Sequence, residues 1–412
     1  MENNSYMNGQ SSYPAYADSY LLREYGTLPG RRGHYEMIFH WNHLDWDFPN
    51  DEMKKEFYKK EYWKKCMPAG IKMDRQGHYY VSVPRWAHGV PATLNKIVIK
   101  DGKPLLEAFP SWEWNRAGNP AVLQSVLGYE IDEYNRMWIL DQGKIAYERS
   151  PEGSQKLVII DLDRNQLIDS IQIPNEIANY RTSFLNDVVV DNKNGFAYIT
   201  DSGNGWPDHP LDGGIIVFNI RTRTFRRVLD RHFSTQDFPG FHFEIDNRPV
   251  FTNKPVKIGA DGIALSGERT VLYYCQVTGR NLYAIDTSLL QDFQTPLEVI
   301  SKSVRAVGSK GTTTDGMHAD HQGKVFYTML EGKGIGIYQP EDNSFHQFVS
   351  DDRMLWVDGV AFDQKGSIIF NSNRLHQMFD ESRQDINWSY PYNLIIWKAF
   401  VGPDVKSYLY GL

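Results

Sequence analysis

Cysteine is nearly missing: Cys66 and Cys275 are the only two in 412 residues. That excludes a disulfide-stapled scaffold and a thiolate zinc site. No run of 18 apolar residues occurs, so no transmembrane helix is expected. The first twenty residues show neither a basic start nor an apolar stretch. No signal peptide is therefore expected, and the chain reads as cytoplasmic. Positive charge is scarce as well. The net charge is -7, the pI is about 6.0 and no basic stripe exists, which argues against a nucleic-acid partner. No P-loop is present, and no G-x-G-x-x-G run leads from a strand into a helix, so a nucleotide cofactor is not expected. No G-x-S-x-G elbow occurs either. Helical periodicity fades after residue 66.

What is present is apolar residue, aromatic ring and turn-former. The chain is 41% hydrophobic, with 24 Tyr, 21 Phe, 11 Trp, 33 Gly and 20 Pro. Residues 1–33 are polar and read as a flexible lead, and residues 34–412 as a single domain. Residues 51–65 (DEMKKEFYKKEYWKK) predict one helix, acidic at its start and basic at its end, as the helix dipole favours.

The rest is a repeat. A small or acidic residue precedes Gly or a stand-in. An alternating strand, a polar turn and an aromatic-rich strand follow. The copies begin at Ala69-Gly70, Leu127-Gly128, Asn186-Asp187, Asp261-Gly262, Asp315-Gly316 and Asp358-Gly359. Further apolar strands lie between them, such as 157–161 and 215–219. A lone four-stranded sheet leaves its edges and faces wet. Six arranged radially bury one another's faces. The expected fold class is all-β, a six-bladed β-propeller with an N-terminal extension carrying a short helix.

In a propeller, equivalent positions face one end of the central channel. Asn186, Asp187, Asp261, Asp315 and Asp358 are therefore expected to converge, with Glu130 displaced by two positions. Crowded carboxylates need either a cation or raised pKa values. Oxygen ligands suit calcium or magnesium; a raised carboxyl suits general acid–base chemistry. The competing reading is that Asp-Gly is simply a turn pair. A second set, Asp74, Asp132, Asp191, Asp320 and Asp363, sits at hairpin turns and reads as structural. His318 reads as packed or hydrogen-bonded. Trp86, Trp138, Trp356 and Tyr129 flank the repeats and suit either a pocket wall or inter-blade packing.

Several stretches resemble the Yellow/major royal jelly protein family: 39–49 (FHWNHLDWDFP), 83–94 (VPRWAHGVPATL), 130–143 (EIDEYNRMWILDQG) and 184–191 (FLNDVVVD). So do Asp261-Gly262-Ile263-Ala264-Leu265-Ser266 and Asp358-Gly359-Val360-Ala361-Phe362-Asp363. The resemblance covers roughly residues 35–400 and implies the same six-bladed fold. It implies a dopachrome-type isomerase, with a biogenic-amine binding protein as a non-catalytic alternative. It also implies secretion, against the cytoplasmic reading. A more distant similarity, to regucalcin- and gluconolactonase-type lactonases, implies a metal-dependent lactone hydrolase instead. That likeness puts the cation on Asn186, Asp261 and Asp315.

The expected chemistry is thus binding and conversion of a small aromatic or indole-type compound. Asp187, Asp261, Asp315 and Asp358 are the expected catalytic carboxyls. Glu130, Asn186, Arg85, Trp86, His88, His318 and Asn371 are the expected substrate contacts, with His376 a further candidate beside Asn371.

Overall fold

The computed structural model describes residues 26–27, 34–203, 212–380 and 386–410. Nearly all of the lead expected over 1–33 lies outside them. Six antiparallel sheets form a closed ring. Blade 1 runs Ile71–Met73, Tyr79–Ser82, Leu94–Lys100 and Lys103–Ala108. Blade 2 runs from Val126–Ile131 to Gln166–Gln172, blade 3 from Leu185–Asp191 to Thr224–Val228. Blade 4 runs from Ala260–Leu265 to Arg305–Ser309, and blade 5 from Met317–Ala319 to Ser344–Ser350. Blade 6 joins Val357–Phe362, Ser367–Ser372 and Leu394–Phe400 to His34–Trp41, a strand from the other end of the chain. The first strand of every blade abuts the first strand of the next, blade 6 returning to blade 1.

The middle strands, such as Leu157–Ile160 and Ile215–Phe218, are buried on both faces. Blades stack against blades, so these strands read as continuous apolar runs rather than alternating ones. The second set of aspartates closes hairpins. Asp74 accepts the amides of Gln76 (3.0 Å) and His78 (2.8 Å). Asp320 does the same for Gln322 and Lys324, and Asp363 for Lys365 and Ser367.

The predicted helix over 51–65 is shorter. It spans Asp51–Lys59, capped by the Asn50 side chain on the Met53 amide, and a 3-10 turn follows at Tyr62–Lys65. Glu61, at φ 51°, breaks the two apart. Phe57 anchors the helix in the core.

Two segments complete the ring. Beyond blade 6, Ser407 pairs with Asp320 of blade 5. Next to it, the Tyr408 hydroxyl both donates to the Val190 carbonyl and accepts from the Val190 amide, each at 3.0 Å. Arg269 donates to the Leu409 carbonyl at 3.0 Å. The C-terminal turn therefore stoppers the channel at its hairpin end.

Candidate active site at the channel mouth

The six inner strands approach one another unusually closely. A methyl group placed on Gly128 would lie 2.4 Å from the Asn186 carbonyl oxygen of the next blade. Gly262 meets the Asp315 carbonyl at 2.5 Å and Gly316 meets that of Asp358 at 2.4 Å. Gly70 and Gly359 repeat the contact, each at 2.7–2.8 Å from the next blade. Only glycine permits this spacing. A polar residue on the second strand braces several of these crossings. Ser82 links the Gly70 amide to the Leu127 carbonyl, and Thr200 links the Asp187 amide to the Asp261 carbonyl. Blade 3 is the exception in the ring, because Asp187 stands where the others have glycine.

The inner strands carry irregular register at this point, for example between Leu185 and Val188 and between Ala260 and Ile263. Bulges re-aim side chains. Here they turn Asn186, Asp187, Asp261, Asp315 and Asp358 into one cavity of about 380 Å³, counted out to the solvent it opens on. The convergence expected from the repeat is present. Asp261 and Asp358 are buried, while Asp187 and Asp315 are half-buried at the cavity surface.

Each carboxyl has its own donors. Asn186 Nδ2 and Ser202 Oγ both donate to Asp261 Oδ2, the latter at 3.3 Å. Trp356 Nε1 donates to Asp315 Oδ2 at 2.8 Å, and Asn373 Nδ2 to Asp358 Oδ2 at 3.0 Å. Asp187 Oδ1 accepts the Val188 amide at 2.8 Å. Burial pushes Asp261 well above the usual carboxylate range, and Asp315 adds to the effect. Burial likewise raises Asp358, with Asp315 adding and Asn373 opposing. Asp315 is pushed up to about 6 by burial, against the pull of its bonds to Trp356 and Asp261. Asp187 is raised by burial and held back chiefly by Lys72. The four carboxyls are thus all held above the usual carboxylate range, each by burial and to a different extent by its neighbours.

One layer below the mouth, Glu130 meets Lys72 at 3.3 Å. Glu130 therefore sits beneath the four aspartates rather than among them. Burial pushes it up to about 7, with Lys72 opposing. His318 Nε2 bonds Ser407 Oγ at 2.8 Å, and its Nδ1 stands 3.5 Å from Glu130 without a hydrogen bond. Burial and nearby Lys72 hold His318 well below the usual histidine range. It is neutral there, so the contact is not an ion pair. The packed role expected for His318 fits, and a substrate contact does not.

Three other expected contacts are corrected. Arg85 is buried and its guanidinium is spent on main-chain carbonyls, among them Val90, Leu123 and Gln124. It fastens the loop instead of reaching the cavity. His88 is exposed and pairs with Glu148 at 3.1 Å. Asn371 uses its oxygen on the Gly359 amide and its nitrogen on the Pro68 carbonyl, both at 2.9 Å. Asn373, two residues on and on the same strand face, is the one that reaches a mouth carboxyl.

Behind Asp315, reached through its bond to Trp356, lies a cluster of rings that the repeat does not announce. Trp86 contacts Phe379 (5.7 Å between centroids), Phe379 contacts Tyr147 (6.1 Å) and Tyr147 stacks on Phe184 (6.0 Å). Trp356 stacks on His376 at 6.1 Å and touches Phe243 and Phe251. The tryptophan and phenylalanine rings belong to one apolar cluster with Leu127, which lines the cavity. Tyr147, Phe251 and Trp356 hold left-handed backbone, at φ 59°, 58° and 42°. Such strain costs of order 1–3 kcal/mol per residue and concentrates at ligand-binding sites. Trp356 thus reaches the mouth through Asp315, whereas Trp86 packs in the ring cluster. Tyr129 lines the cavity, its hydroxyl donating to the Tyr80 carbonyl at 2.7 Å. Trp138 is core, its indole donating to Asp132.

The metal expectation meets a different donor set. Asn186, Asp261 and Asp315 do share the cavity. Yet two of them bond each other, Trp356 occupies the third, and blade 1 supplies Ala69 where a further ligand would stand. Among the described residues no group of three or more His, Cys, Asp or Glu is disposed to hold a metal ion. The residues present do not fit a divalent cation, and no step is routed through one. Cys66 and Cys275 are both free and buried.

Ring and mouth together define a six-bladed propeller with an acidic cavity at one end of its channel. A family model described as major royal jelly protein matches residues 124–396, and the chain belongs to that family. Major royal jelly protein 3 of Apis mellifera is 27% identical over 312 residues, covering 73% of this chain and 54% of that protein. Major royal jelly protein 9 of the same species is 30% identical over 61% of this chain and 58% of its own length. The chain thus spans little more than half of either relative. Protein yellow of Drosophila pseudoobscura pseudoobscura is 25% identical, over 85% of this chain and 64% of that protein. Among solved structures, a luciferin-regenerating enzyme superposes with TM-score 0.51 at 15% identity, covering 84% of this chain and 93% of that one. A gluconolactonase from Xanthomonas campestris gives 0.50 at 12%, covering 90% of each. At such identities these two structures show the fold alone.

Proposed function

We propose that the mouth binds a small aromatic compound and moves a proton on it, a tautomerisation of the dopachrome type. One observation carries the reading: two carboxyls, Asp187 and Asp315, open into a single cavity lined also by Tyr129, with the hydrogen-bonded carboxyls of Asp261 and Asp358 behind them. A carboxylate takes the proton from a ring carbon beside a carbonyl. A protonated neighbour gives one to the carbonyl oxygen, so one C–H bond breaks and one O–H bond forms. Each such transfer contributes about 10²–10⁴-fold. Tyr129 in the lining and Trp356 beside Asp315 supply aromatic contact surface.

The test is loss of dopachrome colour. Purified protein should exceed the buffer rate, and Asp187→Asn and Asp315→Asn should each lose most of the excess. A folded wild type no faster than buffer removes the activity.

A second reading has its own support. A cavity rich in carboxylates, with the Tyr129 ring in its lining, also suits an ammonium group. Calorimetry with dopamine or serotonin separates the two, since binding without turnover makes the protein an amine carrier. A lactone hydrolase has weaker support, because the donor set does not fit its cation. Lactone cleavage that chelators abolish, with stoichiometric metal in the protein, would restore it.

A further inference from the structure

Between blades 3 and 4 the chain leaves the ring and returns. The excursion contains a small hairpin, Phe243–Ile245 paired with Arg248–Val250. Its turn residues, Asp246 and Asn247, both hold left-handed backbone, at φ 54° and 57°. That is the two-residue turn whose twist matches paired strands. A two-stranded hairpin is marginal by itself, so packing must hold it. Phe243, Ile245, Val250 and Phe251 are all buried. In sequence the hairpin belongs to blades 3 and 4, yet its ties run to blades 5 and 6. The Glu244 amide donates to Glu331 Oε1 at 3.3 Å, and Lys333 pairs with Asp246 at 3.2 Å, both partners lying in one turn of blade 5. The Phe251 amide donates to Asp380 Oδ2 of blade 6 at 2.7 Å.

The hairpin grips Trp356. That ring lies 5.8 Å from Phe243 and 6.3 Å from Phe251, and it stacks on His376 with 9° between the planes. Its Nε1 donates to Asp315 Oδ2 at 2.8 Å. Trp356 sits at φ 42°, a conformation that a bulky residue keeps only where its surroundings impose it. We propose that the hairpin is a positioning arm for the mouth: it fixes the Trp356 ring, and through the indole it fixes the direction in which Asp315 presents its carboxyl to a bound compound. The proposal rests on the tautomerase reading and adds to it Phe243 and Phe251, neither of which lines the cavity. The path from phenyl ring to indole to carboxyl is continuous. The arm is footed on blade 5, whose first strand follows Asp315, and on blade 6, which Trp356 opens. It therefore spans the joint between the two groups it aligns.

The experiment follows the indole N–H signals of the full chain, labelled with nitrogen-15 at tryptophan, and their exchange with deuterated solvent. The Trp356 signal is identified by its loss in Trp356→Phe, and Asp315→Asn should move it. Trp397, whose indole donates to Ser372 Oγ at 2.9 Å in the core of blade 6, reports opening of the whole fold. Phe243→Leu keeps apolar bulk, and with it the fold, but removes the ring contact. Exchange at Trp356 should quicken by about threefold to tenfold, the worth of one ring contact, while Trp397 keeps its wild-type rate. Asp380→Ala, which releases the Phe251 amide and leaves both phenyl rings in place, should act in the same way. An unchanged Trp356 rate in either variant overturns the proposal. So does equal quickening at Trp356 and Trp397, which is loss of stability alone. With dopachrome, Phe243→Leu should lower kcat by about tenfold and leave KM within about twofold. An unchanged kcat beside a faster-exchanging indole also overturns it. The exchange rates need no substrate. If wild type converts no dopachrome while the indoles behave as expected, the tautomerase reading falls and the arm stands.

Discussion

Glu130 ties folding to pH, and Glu130→Gln should cut that tie. The side chain is 2% exposed, and burial lifts its carboxyl from 4.5 to about 7 against the pull of Lys72. An unfolded chain gives up this proton near pH 4.5, while the folded chain keeps it to about pH 7. Folding in that window takes up a proton. The stability this contributes is complete below pH 4.5, declines as pH rises, and is gone above about pH 7. A rise of that size corresponds to about 3 kcal/mol. Glutamine keeps the volume and cannot titrate. Below about pH 7 the folded wild type also presents Lys72 with a neutral side chain, so glutamine mimics the protonated form. Wild type and variant should therefore lie close together at pH 5, and the variant should be the more stable at pH 8, the difference shifting by about 2–3 kcal/mol between the two. Urea unfolding followed by tryptophan fluorescence at the two pH values measures it. The four mouth aspartates titrate in both proteins and largely cancel. Parallel dependence on pH would falsify the argument, because Glu130 would then be ionised throughout and its burial would carry no penalty.

Two further outcomes follow from the mouth. Gly128→Ala drives a methyl group to within 2.5 Å of Asn186 and Asp187; it should cost about 1–3 kcal/mol in urea unfolding and weaken ligand binding, whereas a neutral result would mean that the ring is looser than described. Trp356→Phe keeps a ring and removes the 2.8 Å bond that lowers Asp315. Asp315 should then hold its proton to higher pH, moving the alkaline limb of dopachrome conversion upward. An unmoved limb places the donor elsewhere.

The ring and its acidic mouth were readable because a repeat carries position as well as pattern. Asp261-Gly262, Asp315-Gly316 and Asp358-Gly359 announce equivalent places, and equivalence in a ring means convergence. Asp187 in a glycine slot was visible in the same way. Lys72 was not, since a lone lysine in an alternating strand looks like a solvated face until the neighbouring strand brings Glu130 to it. Arg85 and His88 misled because they share a stretch with Trp86. Neighbours in a loop share no axis, and the side chains of Arg85 and His88 are spent on main-chain carbonyls and on Glu148. The Asn371 expectation missed by two residues, one strand period, because sequence does not say which of two same-face asparagines is taken by the main chain. The ring cluster arises in loops of unequal length, where no periodicity exists to read.

Closure of blade 6 has a consequence for biogenesis. Strand His34–Trp41 pairs with Leu394–Phe400, so a strand made before blade 1 waits for one made after all the other blades. At roughly 5–20 residues per second the nascent chain carries that unmatched edge for tens of seconds. The ring cannot lock until the C-terminal stretch clears the ribosome. Holdase chaperones that shield edge strands should accordingly engage this chain early, and a premature stop before residue 394 should yield an open, aggregation-prone arc instead of a smaller propeller.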